Sequence, residues 1–200
     1  MTALTKSEKT RRFIVEKTAP IFNKKGYAGT SLSDLTVATG LTKGSIYGNF
    51  ANKDEVALAV FDYNLSNLNN GMAAAITPGE SAIQKLLLMA QFHRTQFKNV
   101  ATNGGCPILN TATDADDTHP QLKARVSKGI KSWKKNIEDI VAAGIAKGEV
   151  NQKVIPSEVA TEYISLVEGG IMLAKATGDI NMLNIAINRV EKIINTELKL

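Results

Sequence analysis

The chain has 200 residues, of which 44% are hydrophobic and 22% charged, with a formal net charge of +5. This balance is typical of a folded globular protein and excludes general disorder. The single cysteine excludes an intramolecular disulfide. We expect a cytoplasmic protein, because the N-terminus lacks a secretory signal and no uncharged apolar run is long enough to span a membrane.

The positive charge is concentrated at the start of the chain. Residues 1–55 contain nine Lys or Arg against five acidic residues, whereas residues 56–200 contain fifteen against fourteen. A small basic unit ahead of a nearly neutral body indicates a polyanionic partner for the first unit. A solvated lysine-rich surface has the same balance, so charge alone leaves both interpretations open.

Hydrophobic spacing predicts an all-α fold of about nine helices without a strand. A first helix over residues 11–25 contains Pro20 and should end at Gly26 in a left-handed cap. Thr30 or Ser31 can cap a second helix, which Gly40 ends. After a short third helix, further helices are expected over residues 53–68, 80–100, 107–115, 120–147, 156–176 and 180–198.

Residues 32–49 have helix-turn-helix spacing, with two short helices and a glycine-containing turn at residues 40–42. The expected core comprises Phe22, Leu35, Ala38, Leu41, Ile46 and Phe50. The outward positions of the second helix are then Lys43, Gly44, Ser45, Tyr47, Gly48 and Asn49. Glycines permit close approach to a DNA groove, and the polar side chains can bond base edges or phosphates. The same spacing occurs in helical proteins that bind no DNA, so a protein–protein interaction module stays open as the alternative.

The stretch GTSLSDLTVATGLTKGSIYGNFANKDEV, residues 29–56, closely resembles the N-terminal signature of TetR-type (AcrR-type) transcriptional regulators. The resemblance implies a DNA-binding domain over residues 1–52, with its motif at about 30–49. It implies a ligand-sensing and dimerisation domain over residues 53–200. The expected function is that of a regulator, usually a repressor, which binds a palindromic operator as a homodimer and is released by a small-molecule inducer or a reactive electrophile.

By this resemblance, the second helix of the motif enters the major groove of operator DNA. The candidates that face bases or the groove are Lys43, Gly44, Ser45, Gly48 and Asn49. The candidates for phosphate contacts are Thr30, Ser31, Thr42, Tyr47 and Lys53.

A homodimer through the last two helices is also implied, because such proteins read two half-sites about 34–36 Å apart or a multiple of that distance. Two apolar stripes are candidates for the interface, although both can instead pack inside one subunit. They are formed by Ile180, Leu183, Ile187, Val190 and Ile194 and by Val159, Tyr163, Val167, Gly170 and Ala174.

Besides the dimer interface, we expect residues 53–200 to form a pocket for an inducer. Its candidate lining comprises Met89, Phe92, His93, Phe97, Trp133 and Met172, all of which can equally be plain core. Cys106 follows two glycines and precedes Pro107 at a predicted helix start, which makes it a candidate reactive thiol. This short segment is loosely similar to TetR-type repressors that sense electrophiles through a cysteine. An unreactive buried cysteine is the alternative.

The sequence does not suggest an enzyme. The motifs HExxH, CxxC, GxSxG and the P-loop are absent, and the chain has only two histidines, His93 and His119. We therefore expect no catalytic residues, no metal site and no cofactor.

The groove assignment generates a test on the recognition helix. Lys43→Ala or Asn49→Ala should change the preference among operator sequences, because each removes a base-facing group at a cost of about 1–3 kcal/mol. Tyr47→Phe should weaken binding to all sequences alike, because a phosphate contact carries no sequence information. Anisotropy titrations over a panel of operators at several salt concentrations measure both effects. A Lys43→Ala protein with unchanged affinity and salt dependence would contradict the assignment.

Overall fold

The computed structural model describes residues 4–200, which form nine α-helices and, after the last of them, a π-helical turn over Ile194–Leu198. The helices are α1 Lys6–Gly29, α2 Leu32–Thr39, α3 Lys43–Tyr47, α4 Lys53–Ile76, α5 Ala82–Thr102, α6 Pro107–Ala115, α7 Pro120–Ala146, α8 Pro156–Thr177 and α9 Asn181–Ile193. The predicted all-α fold is confirmed. Within these described residues, no helix is long and apolar enough to cross a membrane.

Short polar side chains start several of the helices. Thr5, Ser31 and Ser81 each accept a hydrogen bond from the backbone three residues later, and each forms a complete capping box with the residue there. These bonds satisfy N–H groups that have no partner inside the helix. Of the two predicted caps of α2, the structure selects Ser31, and Gly40 ends that helix in the left-handed conformation with φ 68° and ψ 8°.

Gly26 interrupts α1 without ending it. Its φ of 71° and ψ of 178° lie outside the left-handed helical cap that we expected, and the chain resumes helical geometry as far as Gly29. The cause is a side chain of α6: Asp114 accepts a hydrogen bond from the backbone N–H of Tyr27 at 2.5 Å. A Cβ at Gly26 would lie 2.5 Å from Asp114 Oδ1, so both the backbone angle and the packing require glycine.

The chain divides into two compact units. The first contains Met1–Asn67 with Pro107–Ser127, and the second contains Leu68–Cys106 with Lys128–Leu200. The first unit is therefore larger than the domain expected over residues 1–52, since it includes the first part of α4, all of α6 and the start of α7. Contacts between α6 and α1 explain the difference; besides the Asp114 bond, Asn110 Nδ2 donates to the Asn23 carbonyl at 3.0 Å.

In the second unit, α8 and α9 pack closely within one chain. A Cβ at Gly170 would lie 2.8 Å from that of Ala186, so the glycine sets the approach of the two helices. The stripe residues Leu183, Ile187, Val190 and Ile194 are no more than 2% exposed. Tyr163, Val167, Gly170 and Ala174 of the other stripe are also buried. These eight stripe residues therefore pack within a single subunit, which was the alternative for the stripes, whereas Val159 is half-buried and Ile180 is 39% exposed.

The Gly26 geometry predicts a large effect of a single methyl group. Gly26→Ala should destabilise the protein by about 2 kcal/mol, because alanine is strained at positive φ and its Cβ would displace Asp114. Thermal unfolding followed by circular dichroism should show a Tm lowered by about 4–8 °C. Gly29→Ala is the control, since a Cβ there meets only the Lys25 Cβ at 3.5 Å. Equal Tm values for the two variants would disprove this account.

Candidate nucleic-acid interface and ligand cavity

The turn between α2 and α3 is held by short-range contacts. Gly40 supplies the left-handed residue, and the Thr39 hydroxyl donates to the Leu35 carbonyl at 2.7 Å while it accepts from the Leu41 N–H at 3.2 Å. Thr39 thus stabilises the turn. Thr42 then caps α3 by accepting from the Ser45 N–H at 3.2 Å. This part of the chain has the helix-turn-helix geometry that the spacing predicts.

The predicted DNA-reading residues lie on a polar and sterically open surface. Thr42, Lys43, Gly44 and Gly48 are exposed, and Ser45, Tyr47 and Asn49 are half-buried. The helix is shorter than expected: α3 ends at Tyr47, so that Gly48 and Asn49 belong to the turn after it. A Cβ at Gly44 would meet only the Thr42 hydroxyl, at 4.0 Å, which leaves this part of the surface free for close approach.

Thr30 and Ser31 differ from this open set. Thr30 is 1% exposed, and its hydroxyl donates to the Gly26 carbonyl at 2.6 Å. Its side chain therefore stabilises the end of α1 and is not available to a phosphate, which corrects the expectation. Ser31 is exposed, but its hydroxyl is engaged with Asp34 in the capping box. The Ser31–Asp34 pair is held further by Lys25, which lies 2.6 Å from the carboxylate.

Lys53 is held in place by an aromatic ring at the start of α4. Its ammonium lies 4.3 Å from the centroid of the Tyr27 ring, a cation–π contact. The Tyr27 hydroxyl donates a hydrogen bond to Asp54, which together with burial raises the pKa of Tyr27 to about 12. The His119 ring packs edge-on against Tyr27 with centroids 4.6 Å apart. Lys53 thus lies at a defined position beside the beginning of α4.

Arg11 is the residue of this surface that sequence reasoning missed. Its guanidinium donates to the Asn49 carbonyl, bonds the Glu55 carboxylate at 2.6 Å and lies 4.0 Å from the centroid of the Phe50 ring. Glu55 also accepts from the Ala51 N–H at 2.6 Å. That bond and the Arg11 bond lower the pKa of Glu55. Together these contacts join α1, the turn after α3 and the start of α4.

The second unit contains an apolar cavity. Its volume is about 360 Å³, including the space at its mouth. Four residues of the predicted lining lie on its wall, namely Phe92, His93, Phe97 and Trp133, and so does the candidate thiol Cys106. Glu168 of α8 also lies on the wall, and sequence reasoning did not identify it. The same helix carries Glu158 and Glu162, and its apolar pattern does not show which of the glutamates points inward.

Two of the predicted pocket residues do not line the cavity. Met89 is 2% exposed and belongs to the core of the second unit. Met172 is 49% exposed and lies on the outer side of α8. Helical spacing placed Met172 on an apolar face of the helix, but that face is turned away from the cavity.

Cys106 is buried, as the alternative to a reactive thiol requires. It is 3% exposed, and its Sγ donates to Glu168 Oε1 at 2.9 Å. The two preceding glycines have φ values of 105° and 106°, so they form the bend before α6 and do not expose the sulfur. Burial raises the pKa of Glu168, and the hydrogen bond from Cys106 opposes that rise.

The chain matches two family models. One, described as bacterial regulatory proteins of the tetR family, covers residues 14–60, and the other, described as the tetracyclin repressor-like C-terminal domain, covers residues 82–190. These matches include the helix-turn-helix motif and most of the second unit.

Solved structures and a curated relative extend the comparison. A TetR-family regulator from Cytophaga hutchinsonii is 41% identical, with 100% of this chain and 99% of its own covered and a TM-score of 0.91. A TetR regulator from Chloroflexus aurantiacus is 35% identical, with 98% and 100% covered and a TM-score of 0.94. The HTH-type transcriptional repressor DhaR of Mycobacterium sp. is 22% identical over 82% of each chain.

The fold and the exposed helix-turn-helix surface define a DNA-binding transcriptional regulator. The chain belongs to the TetR family of bacterial transcriptional regulators. Members of this family bind operator DNA, are typically dimeric and respond to small molecules, and repression is their typical role. The protein is accordingly a regulator and not an enzyme.

The contacts of Arg11 predict an effect on DNA binding without a direct contact to bases. Arg11→Met should weaken operator binding about tenfold, because the Asn49 carbonyl and Glu55 lose the group that holds the turn after α3. Arg12→Met removes the same charge from an exposed arginine that pairs with Glu16 on the same helix, so it serves as the control. Fluorescence anisotropy with operator DNA measures both variants. Equal losses would indicate that Arg11 acts only through its charge.

Proposed function

We propose that this protein represses transcription by binding a palindromic operator as a homodimer, and that a small molecule in the cavity of the second unit releases it. Such a regulator acts in the cytoplasm, where bacterial operators lie. The observation that carries the proposal is the exposed polar surface of α3 and its flanking turns, which no core contact explains. The relative DhaR of Mycobacterium sp. is a transcriptional repressor, which supports repression as the response here.

On the operator, each subunit places α3 in one major groove. Lys43 and Ser45 face bases, Gly44 and Gly48 permit close approach, and Thr42, Tyr47 and Lys53 bind phosphates on either side. The Asn49 amide donates to the Ser45 carbonyl at 2.9 Å and accepts from the Ser7 hydroxyl at 3.2 Å, so it exchanges these bonds when it faces a base. Two subunits related by a two-fold axis then read two half-sites about 34–36 Å apart or a multiple of that distance.

Exposed apolar residues on the last two helices support a dimer there. Ile185 on α9 is 67% exposed, and four more large apolar side chains are between 37% and 49% exposed. They are Met172, Leu173, Ile180 and Met182. Large apolar groups gathered on two neighbouring helices are typical of a protein–protein contact. A second copy of the chain is the occupant that the two-fold symmetry of an operator requires.

Two helices supply a route from the cavity to the DNA-reading unit. Leu68 of α4 lines the cavity. One turn further along α4, a Cβ at Gly71 would lie only 3.2 Å from the Phe92 ring, so a displacement of that ring would push against α4. The same helix begins at Lys53 beside the DNA-reading surface. Helix α6 begins immediately after Cys106 and bonds to α1 through Asp114. A ligand that shifts either helix changes the separation of the two α3 helices and weakens operator binding.

A small molecule is favoured over a reactive electrophile as the signal. The Cys106 sulfur is buried and bonded to Glu168, whereas electrophile-sensing thiols need exposure and a positive environment. The neighbouring cavity has the predominantly apolar lining that is typical of small-molecule sites.

Footprinting on the DNA upstream of the protein's own gene tests the proposal together with its dimer. The wild-type protein should protect two half-sites of a palindrome, and light scattering should give the mass of a dimer. Ile185→Asp should yield a folded monomer whose operator affinity is at least about tenfold lower, because a charge is buried in the interface and the second half-site is lost.

Leu200→Asp is the matched control, since Leu200 is 72% exposed and lies at the chain end, outside the last two helices. It should stay dimeric and protect the same DNA. Wild-type protein that shows no salt-dependent protection of any DNA would favour the alternative of a protein–protein interaction module. An Ile185→Asp protein that remained dimeric would remove the last two helices from the interface.

A further inference from the structure

Two residues of the cavity wall carry buried polar atoms that have no hydrogen-bond partner among residues 4–200. They are Glu168 Oε2 and His93 Nε2. His93 is 6% exposed, and Glu168 uses its other oxygen to accept from Cys106. Buried polar atoms are nearly always paired in folded proteins, so an unpaired couple in a cavity wall indicates the place where a ligand supplies the missing partner.

The charge of the wall restricts the ligand that it can take. The ionisable residues on the wall are His93, Cys106 and Glu168, and none of the described lining residues is Lys or Arg. Burial lowers the pKa of His93 to about 4, so the imidazole is uncharged near neutral pH. Lys175, which lies on the same helix as Glu168, donates to the Gly104 carbonyl. The wall can therefore hold a negative charge on Glu168 but has no positive charge for an anion.

The shape and lining of the cavity restrict the ligand further. The His93 ring lies 5.6 Å from the Trp133 ring and 5.8 Å from the Phe92 ring, measured between centroids. Aromatic walls favour a flat aromatic ligand through offset or edge contacts. Because the space of about 360 Å³ includes open solvent at the mouth, the enclosed part is smaller, and we restrict the ligand to one or two rings that enter from the mouth.

We propose that the cavity binds a small aromatic nitrogen base of one or two rings, which donates a hydrogen bond from its protonated nitrogen to Glu168, and that it rejects aromatic carboxylates. This inference rests on the proposed function, because it names the class of inducer for the same cavity. The ligand N–H fills the open Oε2 position while the Cys106 thiol keeps Oε1. The positive charge of the ligand stabilises the ionised carboxylate, which burial alone disfavours.

Three probes with one ring system separate charge from shape: 4-aminoquinoline, which is a cation at neutral pH, uncharged quinoline, and the anion quinoline-4-carboxylate. Trp133 is the single tryptophan of the chain and lies on the cavity wall, so its fluorescence reports binding there. Calorimetry gives the affinities, and the fluorescence, corrected for absorption by the probe, gives the location. We expect 4-aminoquinoline to bind at least about tenfold more tightly than the carboxylate.

Glu168→Gln identifies the group responsible. Glutamine has nearly the same size and can still accept from Cys106, but it cannot carry a negative charge. The variant should bind 4-aminoquinoline about tenfold more weakly and quinoline within about twofold of wild type, since only the cation needs the carboxylate. Glu162→Gln removes an exposed carboxylate of the same helix and should leave all three affinities unchanged.

Three results would overturn the ligand class: tighter or equal binding of the carboxylate, no binding of 4-aminoquinoline to wild-type protein, or an unchanged affinity in Glu168→Gln. Operator footprinting without any probe separates this failure from that of the proposed function. A protein that protects operator DNA but prefers the carboxylate retains the regulatory function and loses the ligand class. A protein that binds 4-aminoquinoline through Glu168 but protects no DNA retains the ligand class and loses the regulatory function.

Discussion

The position of the DNA-reading surface is set by contacts from other parts of the first unit, because α3 is too short to be stable alone. An isolated helix of fewer than about 12–15 residues is marginal in water, and α3 has five residues. Its position is therefore set by contacts from outside: Ile46 is fully buried, Phe50 is 2% exposed, and Arg11 bonds the carbonyl of Asn49. The core of the first unit and one arginine of α1 together determine where the polar side chains point.

The second unit has the opposite arrangement, with long helices around an imperfectly filled interior. Its helices α8 and α9 pack tightly where Gly170 meets Ala186, whereas the region near His93 and Trp133 leaves a cavity. A fully packed core is rigid and gives a small molecule no way to shift the balance between conformations. The cavity is lined by Leu68 of α4 and by Cys106, the residue before α6, so the proposed ligand would act on the ends of these two helices.

Most of the fold was predictable because helix boundaries are local. Gly40, Pro107, Pro120 and Pro156 mark helix ends that their immediate neighbours determine. The missed features depend on residues far apart in sequence. Arg11 and Asn49 are separated by 38 positions and Cys106 and Glu168 by 62, so no spacing rule connects them. Spacing also cannot distinguish two apolar faces of one helix, which is why Met172 was wrongly assigned to the cavity and why two interpretations of the stripes of α8 and α9 stayed open.

In the helix-turn-helix, the residues that stabilise the fold differ from those that face outward, and this separation has an evolutionary consequence. Its buried anchors and its outward side chains are different residues, and a Cβ at Gly44 would meet only the Thr42 hydroxyl, at 4.0 Å. Substitutions at Lys43 or Gly44 therefore need not disturb folding. Substitutions on the outward face, natural or engineered, can therefore change the operator sequence that is bound while Ile46 and Phe50 stay unchanged.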